Sequence, residues 1–308
     1  MRMLRFLGRI SQGPALLAAL VVVAALSTAV VRCHAPWSER LGVGPMDFQA
    51  RLSRDGTRIA FTRWWDDSLS DGVYVMKATG GDELFLAGAS CPAWGSDGRT
   101  LAVRSESDLS ISIIDAETGL TIRKVRDIGY LFGGVDWSHD GRWITFNAAH
   151  YPDIGVGRVD VSTGTYATLV AGSARNARWS DDDRRLVYEC GTPESSGIYI
   201  VDSGGGAHRA VLIDGSGFVF RAPAWLGDAI VCNFAYAQAS EESYGLVIAD
   251  TTGAWRPLSL SGSDADFDPK QRRLVFSRVV PSEPPSGATR LFAAGADGGG
   301  LRQLTRKK

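Results

Sequence analysis

One short motif returns at a nearly constant interval through most of this chain, and no other feature limits the possible folds as strongly. A large apolar residue leads a Ser/Asp/Gly turn, and a short apolar strand follows. The first copy is Leu52-Ser53-Arg54-Asp55-Gly56, followed by Ile59-Ala60-Phe61. It returns as Trp94-Gly95-Ser96-Asp97-Gly98 with Leu101-Ala102-Val103, and as Trp137-Ser138-His139-Asp140-Gly141 with Ile144-Thr145-Phe146. Trp179-Ser180-Asp181-Asp182-Asp183 with Leu186-Val187-Tyr188 is a fourth copy. Two worn copies follow, Trp225-Leu226-Gly227-Asp228 with Ile230-Val231 and Phe267-Asp268-Pro269 with Leu274-Val275-Phe276. The lead positions 52, 94, 137, 179, 225 and 267 are 42, 43, 42, 46 and 42 residues apart. Self-similarity at this period marks a repeat architecture.

Each copy reads as four short strands. In the third they are Val135 to Ser138, Trp143 to Asn147, Gly155 to Asp160 and Tyr166 to Val170. Asp140-Gly141 suits the first hairpin turn, because both residues accept the positive φ it needs. Ser138 is placed to hydrogen-bond amides of the same turn. Ser162-Thr163-Gly164, Thr79-Gly80-Gly81 and Gly204-Gly205-Gly206 punctuate later strands in the same manner. Repeated four-stranded units without helical periodicity predict an all-β protein, a six-bladed β-propeller over residues 46–308. A lone blade cannot bury both faces, so Trp94, Trp137, Trp179, Trp225 and Phe267 are expected between blades. Each blade is expected to be contiguous, and the ring to close without strand exchange.

The N-terminus reads differently. Arg2, Arg5 and Arg9 make residues 1–9 a basic segment, and Ile10 to Val31 is uncharged and long enough to cross a bilayer. The basic side stays in the cytoplasm by the positive-inside rule. Residues 10–31 are therefore expected to be one N-terminal transmembrane or signal-anchor helix, with 32–45 a short linker. Cleavage after a small-residue site at Ser27-Thr28-Ala29 is the alternative, giving a secreted protein. Cys33 follows Arg32, which does not fit a lipidation site. Each version places the propeller outside the cytoplasm, periplasmic or on the cell surface. Four cysteines, Cys33, Cys91, Cys190 and Cys232, show no metal spacing. A Cys190–Cys232 bridge is conceivable, and separate thiols are the expectation. With 33 Lys and Arg against 34 Asp and Glu, charge gives no case for nucleic acid.

Trp-Ser-x-Asp-Gly, an apolar strand, a segment such as Gly197-Ile198-Tyr199-Ile200-Val201-Asp202, a Gly-Gly turn and an ending like Arg302-Gln303-Leu304-Thr305 resemble the TolB-like (WD40-like) propeller repeat. The resemblance covers about residues 46 to 307 and implies six blades. Trp65-Asp66 is the only Trp-Asp dipeptide, so the chain does not resemble the WD-repeat family proper. TolB carries a sizeable domain ahead of its propeller that contacts other envelope proteins. Only Arg32 to Pro45 separates the apolar segment from blade one here, so the TolB N-terminal domain has no counterpart. The same fold forms the non-catalytic half of prolyl-oligopeptidase-like hydrolases, and this chain has no Gly-x-Ser-x-Gly elbow.

Propeller geometry sorts the loops between two faces. Turns joining strands one and two, and three and four, are short and regular here. Those joining strands two and three, and the blade connections, are long and varied. Binding in repeat proteins concentrates on such loops. The candidate binding residues on that face are Trp64, Trp65, Asp66, Asp67, Tyr130, His150, Tyr151, Asp153, Phe218, Tyr236 and Tyr244. Aromatics there suit a protein partner or the face of a sugar ring. Of four His, only His150 lies on this face, and a metal site needs three or four converging ligands. Some relatives of the repeat are metal-dependent pectate-fragment lyases with several His around the channel, a supply this chain lacks. No catalytic residue, metal or cofactor is expected. The expectation is a membrane-tethered scaffold for a cell-envelope protein partner. The alternatives are a carbohydrate-binding or carbohydrate-active propeller with a site at the channel mouth, and a structural module serving a separate enzyme.

Overall fold

The structure, a computed structural model, describes residues 46–64, 71–105, 107–127, 133–148, 155–191, 196–215, 217–236, 244–281 and 288–306. The anchor and linker expectations, and Trp65, Asp66, Asp67, Tyr130, His150, Tyr151 and Asp153, lie outside these residues. Among the described residues no helix is long and apolar enough to cross a membrane.

Among the described residues the regular elements are 24 strands grouped four by four in sequence order. Four groups form separate four-stranded antiparallel sheets, and the first and last share one sheet. That link is a single parallel bridge, Met46 opposite Thr289. Each blade is contiguous, and the ring closes by blade six packing on blade one. The third copy's strands are Asp136–Trp137, Trp143–Ala148, Gly155–Asp160 and Tyr166–Ala171, close to the reading from sequence.

The core is six apolar wedges, one at each junction between blades. Ile111 and Cys91 of blade two meet Trp137, Ile144 and Phe146 of blade three. Phe61 and Met76 of blade one meet Val275 and Leu291 of blade six, which seals the ring. Trp94, Trp137, Trp179 and Trp225 are buried as expected, and Phe267 is half-buried against its wedge. Burial of apolar area at about 25 cal/mol per Å² is the main stabilising term in such a body. Cys91, Cys190 and Cys232 are free thiols.

The Ser-x-Asp turn is a hydrogen-bonded clasp. Ser138 Oγ donates to Asp140 at 2.6 Å and accepts the Trp143 amide at 2.8 Å. Ser53 with Asp55 and Arg58, and Ser180 with Asp182 and Arg185, repeat it. These bonds from Ser53 and the Thr57 amide lower the Asp55 carboxyl to about 2. Gly197, which opens a third strand, has φ +152°, and a Cβ there would sit 2.0 Å from the Leu212 carbonyl oxygen. Only glycine fits such an approach.

A second periodic device was not visible as a motif. The first strands carry a bulge whose residue is left-handed: Gln49, Cys91, Asn176, Ala222 and Asp264, with φ between 50° and 55°. Register shifts of the first strands bracket these positions. The bulge amide is thereby turned toward the preceding blade. Cys91 N–H donates to Thr62, Asn176 to Asn147, Ala222 to Glu189 and Asp264 to Asn233, at 2.9–3.2 Å. A polar side chain on each of those second strands thus latches the next blade, satisfying an amide that the bulge frees from its own sheet.

Candidate functional site

The two faces differ in how their residues are held. On the long-loop side, Trp64 ends the second strand of blade one and is 37% exposed. Its ring stands edge-on to Phe48, 4.6 Å between centroids. Directly before it, the buried Arg63 makes a two-point pair with Asp47 at 2.5 and 2.9 Å and a third contact with Glu83 at 2.7 Å. Burial opposes the Arg63 charge, and Asp47 and Glu83 more than offset it, raising the guanidinium above its ordinary value. The same guanidinium lies 5.1 Å from the Phe61 and Tyr74 ring centroids. Trp64 is therefore an exposed aromatic on a rigid base.

Blade five brings three further candidates to the same face. Phe218 pairs in register with Tyr236, and Tyr244 pairs with Ala235 beside it. Phe218 itself is half-buried and packs with Phe234 and Trp255, at centroid distances of 6.1 and 6.0 Å. It belongs to the blade's own aromatic cluster.

The short-turn end of the axial channel holds a site that the loop-length argument passed over. A cavity of about 270 Å³ opens there, with Arg51, Arg54, Trp94, Asp136, Arg178 and Asp266 among its lining. Four of these occupy one repeat position, immediately before the lead residue. Across the six blades that position reads Arg51, Ala93, Asp136, Arg178, Ala224, Asp266. This column of small and charged residues was the signal available in the sequence. Ala93 and Ala224 at this position pack between blades, and its four charged occupants line the cavity.

Arg178 of blade four reaches Asp266 of blade six at 2.6 Å and Asp136 of blade three at 3.3 Å. Burial opposes its charge, and the two carboxylates outweigh burial and raise its value. Burial likewise opposes ionisation of Asp266, and Arg178 and Arg51 outweigh it, holding the carboxyl below the usual range. Asp266 also accepts the Leu52 amide at 2.8 Å, and Asp136 accepts the Trp179 amide at 2.8 Å. The acids thus fix backbone and arginine together.

The rim carries a tie between neighbouring blades. Asp183 stands where other copies have glycine, at φ 55°. Its carboxylate accepts the His139 and Asp140 amides of blade three, both at 2.7 Å, and lies 3.0 Å from His139 Nδ1. Burial opposes its charge, and these bonds outweigh burial and lower its value. The Asp181 to Asp183 run therefore builds structure at this turn. Among the described residues no group of three His, Cys, Asp or Glu side chains could hold a metal.

No family model matches the sequence, and no curated protein matches it. Solved structures match the fold. TolB from Acinetobacter baumannii superposes with a TM-score of 0.65 at 19% identity, over 86% of this chain and 64% of that one. This chain therefore spans less than two thirds of that protein. Oligogalacturonate lyase from Vibrio parahaemolyticus gives 0.57 at 11% identity, over 85% and 79%. A prolyl endopeptidase gives 0.55 at 14% identity, over 84% of this chain and 42% of that one. Solved structures of this fold thus include enzymes, and the fold alone assigns neither catalysis nor its absence. At the level of fold, the structural neighbours are TolB-like propellers, as the repeat motif implied.

Proposed function

We propose that this protein is a membrane-tethered, extracytoplasmic binding propeller that engages a cell-envelope protein through its long-loop face. The observation that carries the reading is Trp64. It is a large aromatic held 37% exposed at the rim of that face, on a base fixed by the buried Arg63–Asp47–Glu83 cluster. Exposed aromatics on rigid supports are the residues that dominate binding energy at protein interfaces, because little conformational entropy is lost when they are covered. Likeness to TolB structures supports a protein-binding propeller, and a nidogen/laminin complex has the same fold at a TM-score of 0.55. The basic segment and apolar stretch of residues 1–31 support tethering outside the cytoplasm.

The test is crosslinking capture by full-length protein in its native envelope, beside a variant with Trp64, Trp65, Tyr151 and Tyr244 replaced by Ala. A specific partner held by the wild type and lost by the folded variant is the expected result. Unchanged capture profiles would remove the long-loop face from the account. Glycan binding lost on His150→Ala or Asp153→Ala, with no protein captured, would favour the carbohydrate alternative.

A further inference from the structure

We infer that the short-turn mouth of the channel is a carboxylate-binding site, with Arg51 and Arg54 as its cationic floor and the tryptophans as its walls. The site is separate from the long-loop face and does not depend on the reading proposed for it. Three observations converge on it.

The first is a pair of half-buried arginines with no carboxylate in direct contact. Asp136 and Asp266 are engaged by Arg178, Asp268 lies 3.8 Å from Arg273, and Asp181 lies 3.5 Å from His139. Arg51 donates only to the Ala50 carbonyl at 2.9 Å, and Arg54 only to the Trp137 carbonyl at 2.8 Å. Lys270 on the same rim donates to the Arg54 carbonyl at 3.3 Å. Among the described residues, none of these three cations has a carboxylate within ion-pair distance. Burial pulls both arginines below their ordinary values and the Arg178 charge adds to it, while the more distant Asp136 and Asp266 offset it only in part. A carboxylate supplied from outside would relieve that cost through charge-assisted, two-point hydrogen bonds.

The second is a set of buried donors without acceptors around one cavity. Arg51 Nε, Arg54 Nε and Trp179 Nε1 have no hydrogen-bond partner, and all three residues line the mouth. Trp179 is 4% exposed. Its counterparts have spent the same donor: Trp94 Nε1 bonds the Arg51 carbonyl at 2.9 Å and Trp225 Nε1 the Arg178 carbonyl at 3.0 Å. A buried donor left unpaired is costly, and native structures carry few.

The third is size and lining. At about 270 Å³ the cavity is below the usual span of pockets for drug-sized ligands. It suits a short carboxylate with an apolar stem, which Trp94, Trp179, Trp225 and Phe267 would cover. Such a group is either a small free acid or a Glu or Asp side chain presented by a peptide.

Tryptophan fluorescence of the full-length protein reads the site directly, because three of its walls are indoles. The probes are glutarate, the tripeptide acetyl-Ala-Glu-Ala-amide, its Gln counterpart and inorganic phosphate. Saturable change with glutarate or the Glu tripeptide, absent with the Gln tripeptide, is the expected result. Arg54→Met and Arg51→Met should each weaken that response at least tenfold, with the thermal midpoint of Arg54→Met unchanged. Response to glutarate alone identifies a free acid as the ligand, and response to the tripeptide identifies an acidic side chain. No saturation by either carboxylate, a response to phosphate only, or an Arg54→Met titration equal to wild type would overturn the inference.

Discussion

The two ends of the propeller are built on opposite terms. The short-turn end is made of repeated positions: the Ser-x-Asp clasp of blades one, three and four, the lead tryptophans of blades two to five, and the column Arg51, Asp136, Arg178, Asp266. Its charges hold one another across the axis, with Arg178 tied to Asp136 and Asp266. The loops of the long-loop end differ in sequence from blade to blade, while the polar latch beneath them recurs. What is fixed there is local, ion pairs such as Arg63 with Asp47 and Glu83 in the strand that ends at Trp64, and Arg221 with Asp214. The difference teaches that regular loops are not equivalent to an inert face. Repetition brings six copies of one position to a common axis, so a few charged substitutions in that column make a site without any long loop.

The largest effect is expected where the short-turn end is broken at its centre. Arg178→Ala leaves Asp136 and Asp266 without their counter-charge, and removing one member of a buried ion group costs about 3–5 kcal/mol. Urea denaturation at pH 7 should show that loss. A loss under about 1 kcal/mol would mean that the axial ion group does not hold the ring together.

Acid should act at both ends. The folded values of Asp55, Asp183, Glu189 and Asp266 all lie below their ordinary ones. The unfolded chain then binds more protons as pH falls through about 4, so stability declines with falling pH. The contribution is fully present above the ordinary carboxylate range and is lost as pH drops through the folded values. For Glu189 burial opposes the charge, and Arg175, Asn176 and the Ala222 amide outweigh it. Glu189→Gln should therefore flatten the pH dependence of the denaturation midpoint between about pH 5 and 3. An unchanged slope would place the acid sensitivity elsewhere.

The long-loop end should show the reverse balance. Trp64 keeps 37% of its surface exposed and packs edge-on to Phe48, so Trp64→Ala should cost about 1–2 kcal/mol of stability, less than Arg178→Ala, while weakening partner capture at least tenfold. A large stability loss with retained capture would make Trp64 a structural cap. The smallest effect is expected at a bulge. Ala222 is held at φ 50°, a conformation that strains any residue with a Cβ. Ala222→Gly should change stability by less than about 1 kcal/mol, in the stabilising direction, because the Glu189 latch bonds the backbone amide and survives.

Much of the fold was legible because it rests on local rules. The turn clasp, the blade period and the buried lead tryptophans are each written in a few adjacent residues. The polar latch was not. Thr62, Asn147, Glu189 and Asn233 share no chemistry beyond an acceptor oxygen, and only the bulge geometry shows why an acceptor belongs there. The short-turn cavity was missed for a related reason. Leu52 and Asp266 are 214 positions apart in the chain yet bond across the ring closure, beside Arg51. Of the residues expected on the long-loop face, Trp64, Phe218, Tyr236 and Tyr244 fall among those described, and Phe218 packs within its own blade.

The measurement that tests the central claim most directly is site-specific photo-crosslinking in the native envelope. A photoreactive phenylalanine would replace Trp64 on the long-loop rim, with Ile122 on the outer edge of blade two, 59% exposed, as the comparison position. A discrete protein adduct from position 64 and none from position 122 is the predicted result. Equal adducts from both positions, or none from position 64 with a folded protein in place, would contradict a binding propeller that works through its long-loop face.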